Sequence, residues 1–138
     1  MDSERRTFVS YGQELDDLED LLLTAQWGDS TLWTMNRLVR PGDRIVFYFR
    51  KPYSSFVAVG TASEAPAPND DVNSRWYGKY MGEVKDIRML PRPLSFQRAK
   101  EAMPEWPWLR YPRGEVQVPQ EVVGELSRQF DEGFLRGH

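Results

Sequence analysis

The residues of this sequence best suited to a functional site are aromatic, and aromatic side chains suit binding rather than catalysis. The chain has five tryptophans, and each falls in or beside a stretch that predicts a loop: Trp27, Trp33, Trp76, Trp106 and Trp108. Two such rings on facing loops would form a slot for a flat or cationic group, and rings near arginines also suit stacking on an unpaired base. The alternative is that each ring plugs one end of a β-barrel, and for Trp106 and Trp108 we favour this structural role.

Residues for catalysis or metal binding are scarce. His138 is the only histidine, and the chain has no cysteine, which excludes cysteine-ligated metal sites and thiol catalysis. No glycine-rich loop with the spacing of a nucleotide-binding motif occurs. Asp43 follows a turn glycine and is expected to cap that turn, whereas Glu83 and Asp86 could act as acid and base but fit an ion pair better. We therefore expect no catalytic residue, no metal and no cofactor, in a protein that is not an enzyme.

The length of 138 residues suggests a single domain over residues 1–138, in which residues 119–138 form a C-terminal helix and tail. No apolar run approaches the roughly 18–20 residues of a membrane helix. The first six residues lack the apolar core of a signal peptide. We expect a cytoplasmic protein with no membrane partner.

The charge is unevenly distributed along the chain. The formal net charge is −3, which at first argues against nucleic acid as a partner. Residues 31–118, however, hold 14 basic and 9 acidic side chains, and most of the basic ones are arginine. Arginine is the better residue for bidentate phosphate contacts and for stacking on bases. A solvated surface that is rich in arginine would give the same count, so both interpretations stay open at this point.

The elements that must position these residues follow from the hydrophobic pattern. Strands are predicted at residues 6–11, 44–50, 56–62, 83–89 and 115–118. Helices are predicted at residues 13–25, after Ser95 as far as Met103, and from Pro119 onward. Residues 31–39 predict a helical turn or an irregular segment, and Pro91 and Pro93 are expected to end the fourth strand. This order suggests a small closed or half-closed barrel flanked by helices.

Two stretches resemble the EVE and YTH branches of the PUA-like superfamily. In the first, Leu32–Met35 precedes a turn and the two central strands, and in the second, Trp76 precedes Met81-Gly82 and the Leu90-Pro91 stretch. The likeness covers roughly residues 7–118. It implies an α+β fold, with a small PUA-like β-barrel of about five to six mostly antiparallel strands flanked by helices.

The resemblance also implies a function and a site. Domains of this kind bind a modified, commonly methylated, nucleobase in DNA or RNA after flipping it into an aromatic cage, and we favour DNA. They also occur as the specificity part of modification-dependent restriction systems, with a nuclease as partner or fused domain. Matched to this sequence, the cage would consist of Trp33, Thr34, Trp76 and Met81. The residues that contact the base edge would be Ser10, Tyr11, Gln13 and Asn36.

This chain departs from the family where the first strand ends. The asparagine-rich stretch expected there is replaced by Ser10–Gln13, which leaves a methylated cytosine or another base open instead of adenine. Flipping a base out of a duplex costs a few kcal/mol, and cationic side chains must offset that cost through phosphate contacts. The expected phosphate contacts are Arg37, Arg75, Lys79, Arg92, Arg110 and Arg113.

Two other functions are compatible with the sequence. One is an ASCH-like domain on the same barrel that binds a small molecule or nucleotide or hydrolyses it, which would need Glu83 or Asp86 to converge with Lys79 or Lys85. The other is a protein-interaction domain that docks a partner on the tryptophan- and proline-rich loop Pro104–Pro112.

Overall fold

The computed structural model describes residues 5–130, so the predicted end of the domain and His138 lie outside the described residues. The strands are β1 (Thr7–Gly12), β2 (Thr31–Thr34), β3 (Arg44–Phe49), β4 (Ser55–Ala62), β5 (Ala67–Pro68) and β6 (Tyr80–Ser95). The helices are α1 (Leu15–Trp27), α2 (Phe96–Ala102), a 3₁₀ helix (Pro107–Arg110) and α3 (Gln120–Phe130).

The strands form one curled sheet in the order β1-β3-β4-β6-β2, and the short β5 pairs with β6 outside this path. The β1–β3 pair is parallel, and the other pairs are antiparallel. The sheet curls into a half-barrel flanked by the three α-helices. This confirms the predicted α+β fold of five to six mostly antiparallel strands. Because β1 and β2 are the two edge strands, the half-barrel is open between them.

Strand β2 is where the prediction of a helical turn or irregular segment is wrong. Residues 31–34 pair with β6, with Trp33 opposite Gly82. Threonine and tryptophan suit a pleated strand. Gly82 has no side chain, which leaves space beside the Trp33–Gly82 pair. A Cβ at Gly82 would lie 3.1 Å from the sulfur of Met35. The missing side chain on β6 therefore lets the residues after β2 pack closely onto the sheet.

Strand β6 extends beyond its predicted end, since it continues through Pro91 and Pro93 to Ser95. Its pairing with β4 jumps from Met89 opposite Ala58 to Leu94 opposite Phe56. Residues 90–93 thus form a bulge, where neither proline has to donate a backbone hydrogen bond. As predicted, Ser95 then caps α2, and its side chain accepts a hydrogen bond from the backbone N–H of Arg98.

Hydrophobic side chains cover both faces of the sheet. Along β3, Ile45, Phe47 and Phe49 belong to the cluster on the α1 side, whereas Val46 and Tyr48 belong to the cluster under α2 and α3. A strand that is buried on both faces has no polar side, which explains its uninterrupted apolar sequence. Trp106 and Trp108, at 2% and 7% exposure, fill the second cluster, as predicted. The loop that carries them therefore does not offer tryptophans to a protein partner.

Residues 115–118, predicted as a strand, form a single bridge between Gln117 and Phe8 instead. The N–H of Val9 donates to the carbonyl of Val116 at 2.9 Å, and the N–H of Val118 donates to the carbonyl of Thr7 at 2.7 Å. The segment therefore covers the outer edge of β1, whose backbone groups would otherwise be unpaired.

The turn before β3 is fixed by Asp43, as predicted. Its buried carboxylate accepts a hydrogen bond from the N–H of Arg40 at 2.9 Å and forms an ion pair with Arg6 at 3.1 Å. Within residues 5–130, every helix lacks the combination of length and apolar character that crossing a bilayer requires.

Candidate nucleic-acid interface

The open seam of the half-barrel contains the candidate site. Here β1 and β2 do not form a backbone ladder with each other. Instead, the indole Nε1–H of Trp33, on β2, donates to the carbonyl of Tyr11, on β1, at 2.8 Å. Trp33 is 7% exposed, and its ring meets the edge of Phe47 with the centroids 5.1 Å apart. Trp33 therefore joins the two edges mainly as a core residue.

A cleft of about 320 Å³, here called the main cleft, opens beside this contact. Its volume lies at the lower end of the range of about 300–1,000 Å³ that is usual for ligand pockets. The cleft has two aromatic rings, three cations, one carboxylate and several small or polar groups. The lining residues are Tyr11, Gly12, Gln13, Thr34, Arg50, Arg75, Trp76, Lys79, Gly114 and Glu115.

A second cavity, of about 140 Å³ and here called the side cavity, adjoins the main cleft. The two share Tyr11, Thr34 and Trp76 as lining residues. The structure brings all four predicted cage residues to this side cavity, since Trp33 and Met81 complete its lining together with Asp17, Asp20 and Leu32. The predicted cage is thus a continuous surface at the seam, although Trp33 presents only a small part of its ring.

Trp76 is the more accessible of the two predicted cage tryptophans, because it is half-buried and lines both spaces. The guanidinium of Arg75 lies over its ring, 4.2 Å from the centroid. The same guanidinium forms ion pairs with Glu14 at 3.1 Å and Asp17 at 2.7 Å on α1. These contacts attach the loop of Trp76 to the helix and hold the ring at the mouth of the cleft.

The structure places two of the four predicted base-edge residues in the main cleft. Tyr11 and Gln13 line the main cleft. Ser10 is fully buried in β1 and lines neither space. The amide of Asn36 donates to the carbonyl of Glu115 at 2.6 Å and accepts from the N–H of Leu38 at 2.8 Å. Asn36 therefore ties the loop after β2 to the segment beside β1.

The predicted phosphate contacts are divided as well. Arg75 and Lys79 lie in the main cleft, and Arg37 lies with Lys79 on an adjoining shallow groove. Arg92, Arg110 and Arg113 are exposed and line neither the main cleft nor that groove.

Two residues of the cleft, Arg50 and Glu115, were missed from the sequence. The Arg50 guanidinium lies 4.1 Å from the centroid of the Tyr11 ring, so it packs on one wall of the cleft. Its position at the end of β3, next to the end of β1, is the signal that could have identified it. Glu115 precedes a short apolar stretch in a loop, and nothing in its sequence neighbourhood indicates that it lines a cleft.

Glu115 is the carboxylate of the main cleft. Its side chain lies near the hydroxyl of Thr34 and the backbone N–H of Tyr11, which both favour the ionised carboxylate. Burial raises the pKa of Glu115 above its ordinary value, and the nearby charges of Lys79 and Arg50 only partly oppose that rise. Burial likewise raises the pKa of Tyr11. Partial burial of a polar, hydrogen-bonding carboxylate against aromatic rings is typical of a site that recognises a ligand edge.

The acids proposed for an ASCH-like catalytic role do not reach the cleft. Glu83, near the start of β6, accepts hydrogen bonds from Ser30 at 2.8 Å and Ser63 at 3.0 Å. Asp86 is exposed with a φ of 54°, at an irregularity of the same strand. Neither lines the main cleft or the side cavity. Within residues 5–130, no group of three or more histidine, aspartate or glutamate side chains is arranged to hold a metal ion.

The sequence profile of the EVE domain matches residues 26–127. The chain belongs to the EVE domain family. The matched range includes Trp76 and Glu115 of the main cleft and Trp33 of the side cavity, while β1 precedes it. Among proteins of curated function, none matches the chain significantly.

Solved structures show that this EVE domain has the PUA-like fold implied by the resemblance. A hypothetical protein from Leishmania major aligns with a TM-score of 0.76 at 12% identity, over 93% of this chain and 96% of that one. Human THYN1 in complex with 5-methylcytosine-containing DNA aligns with a TM-score of 0.67 at 14% identity, over 92% and 98% of the two chains. An ASCH protein from Zymomonas mobilis aligns with a TM-score of 0.62 at 14% identity, over 91% and 96%.

Proposed function

We propose that this EVE domain binds a modified base in DNA by taking the flipped base into the main cleft, with the modification directed into the side cavity. The observation that carries the proposal is the continuity of the two spaces. A cleft with aromatic walls and three cations adjoins a smaller cavity that Trp33 and Met81 help to line, and the two spaces share Tyr11, Thr34 and Trp76. The human structure, which holds 5-methylcytosine-containing DNA on the same fold, supports DNA as the nucleic acid.

In this proposal each part of the site has a distinct role. Trp76 and Tyr11 stack on the base, and Trp33 and Met81 bound the space for its methyl group. Stacking on an aromatic ring contributes about 1–3 kcal/mol per base, and burial of one methyl-sized group contributes about 0.8 kcal/mol. Arg50, outside the predicted set, joins the predicted phosphate contacts.

The main test is binding of short fluorescent single-stranded oligonucleotides that carry one central cytosine, 5-methylcytosine, 5-hydroxymethylcytosine, adenine or N6-methyladenine. We expect one modified strand to bind about fourfold or more tightly than its unmodified partner, as burial of a methyl group predicts. Trp76→Ala should weaken that complex by about 5- to 150-fold, in line with the loss of one stacking contact.

Tyr77→Ala is the matched control, because Tyr77 is an exposed aromatic residue next to Trp76 that lines neither space. It should leave binding unchanged. Equal, weak and salt-sensitive binding of all strands, unaffected by Trp76→Ala, would refute the proposal.

The proposed role is recognition without chemistry. Mass spectrometry of the oligonucleotides after prolonged incubation tests this, because a hydrolytic or base-modifying activity would change their mass. A role as the specificity part of a restriction system, alongside a nuclease, is a further proposal that rests on the family resemblance. It predicts that cleavage of methylated DNA in cells requires Trp76.

A further inference from the structure

The carboxylate of Glu115 lines the main cleft at the seam between β1 and β2. The odd-numbered residues of β1 direct their backbone groups away from β3. Thr7 and Val9 bond to the backbone of residues 116–118, and the carbonyl of Tyr11 accepts the Trp33 indole N–H. The N–H of Tyr11 and the hydroxyl of Thr34 lie near the side chain of Glu115, and all three residues line the main cleft. Tyr11 and Thr34 lie on the two edge strands, so Glu115 lies at the seam.

Glu115 shares the main cleft with the two rings that would stack on a base. A base held against Trp76 or Tyr11 has its face covered by an aromatic ring, so only its edge is free to meet a carboxylate. An ionised carboxylate has acceptors and no donors. The exocyclic amino group of cytosine or adenine is a donor that a glutamate accepts from, whereas thymine and uracil carry a carbonyl oxygen where cytosine carries its amino group.

We propose that Glu115 reads the edge of the bound base and selects bases that carry an exocyclic amino group, as in cytosine- and adenine-derived bases, over thymine- and uracil-derived ones. This inference rests on the proposed function. The charged groups that share the cleft with Glu115 are Lys79, Arg50 and Arg75.

The test compares 5-methylcytosine with thymine at one central position of a single-stranded oligonucleotide. The two bases carry the same methyl group at the same ring position and differ in the edge, so methyl burial cancels from the comparison. Cytosine and uracil strands complete the set and measure the methyl contribution separately. We expect the wild-type protein to bind 5-methylcytosine about 10- to 100-fold more tightly than thymine, in line with the discrimination usual for a base-edge hydrogen bond.

Glu115→Gln is the decisive variant. The amide replaces one of the two acceptor oxygens of the carboxylate with an NH₂ group, so the variant offers the cleft a donor that the ionised carboxylate lacks. That group donates to the thymine carbonyl and opposes the cytosine amino group. The preference for 5-methylcytosine over thymine should therefore fall at least tenfold, with thymine binding strengthened. Glu121→Gln, an exposed glutamate on α3, is the control and should leave the preference unchanged.

The outcomes separate this inference from the function on which it rests. Tighter binding of both methylated bases than of their unmethylated partners, with no difference between 5-methylcytosine and thymine, would support a methyl-binding cleft and overturn the role of Glu115. An unchanged preference in a folded Glu115→Gln variant would overturn it as well. The absence of any preference among modified and unmodified strands would refute the proposed function itself.

Discussion

Replacement of Trp33 by alanine should strongly destabilise the fold. The side chain is 7% exposed and packs against Phe47 and Phe49. Truncation of a buried tryptophan to alanine costs about 3–5 kcal/mol. It would also remove the indole N–H that bonds to Tyr11, and such a bond contributes about 1 kcal/mol. Domains of this size have a total stability of about 5–15 kcal/mol, so the variant should lose a large fraction of its stability.

Urea denaturation followed by far-ultraviolet circular dichroism measures this cost without relying on tryptophan fluorescence. We expect the free energy of unfolding of Trp33→Ala to fall by at least 3 kcal/mol. Trp33→Phe keeps an aromatic ring in the core but loses the bond across the seam, and it should cost about 1–3 kcal/mol. Trp76→Ala serves as the comparison, because the half-buried Trp76 should cost less than about 1.5 kcal/mol.

A fall of less than about 1 kcal/mol for Trp33→Ala would refute this reasoning. In that case Trp33 would contribute little to the core, and a loss of binding in the variant would indicate a true cage wall. If the large cost is observed, a binding defect in Trp33→Ala says nothing about recognition. Trp76 is therefore the residue on which the test of function depends.

Three further predictions concern other parts of the structure. Gly12→Ala should destabilise the protein by about 1–3 kcal/mol in thermal unfolding, because the new Cβ would lie 2.2 Å from the ring of Phe49. Asp43→Ala should cost about 1–3 kcal/mol in urea denaturation, because it removes the acceptor of the Arg40 N–H in the turn and the carboxylate that pairs with Arg6. The raised pKa of Glu115 means that the folded protein holds its proton more tightly than the unfolded chain. The free energy of unfolding of the wild type, relative to that of Glu115→Gln, should therefore be greatest below about pH 4 and should decrease as the pH rises through the folded pKa. An equal difference between the two proteins at pH 4 and pH 8 would contradict this.

The strands that the sequence predicts best are those whose pattern is local. β3 is apolar throughout because both of its faces are covered, and a turn directly precedes it. β4 carries small residues where β6 comes close, and a Cβ on Gly60 would lie 2.7 Å from Val84. The apolar run of β3 and the small residues of β4 are local features of the sequence, so the hydrophobic pattern is enough to predict these strands.

The features that could not be predicted depend on register between distant strands. Pro91 and Pro93 normally end a strand, and only the jump in pairing between β4 and β6 shows that they occupy a bulge. β2 is four residues long and polar at both ends, and it becomes a strand because β6 offers it an edge. In both cases a tertiary pairing overrides a local preference.

The division of roles between Trp33 and Trp76 follows from the open seam. A half-barrel whose edge strands do not pair must satisfy their outward backbone groups in another way. At Tyr11 the carbonyl accepts the Trp33 indole N–H, and the side chain of Glu115 lies near the N–H. Trp33 thus joins the two edges from the core, whereas Glu115 lines the cleft beside them. A base in the main cleft would therefore meet a carboxylate next to the contact that joins the two edge strands.

The coupling between fold and site makes a structural role for Glu115 the main competitor of the proposed one. If the side chain of Glu115 only packed at the seam, the nearly isosteric Glu115→Gln should leave base preference unchanged. If the carboxylate also reads a base, the same variant should change which base is bound. The two roles therefore predict different results for a single, nearly isosteric substitution, and base preference distinguishes them even where stability does not.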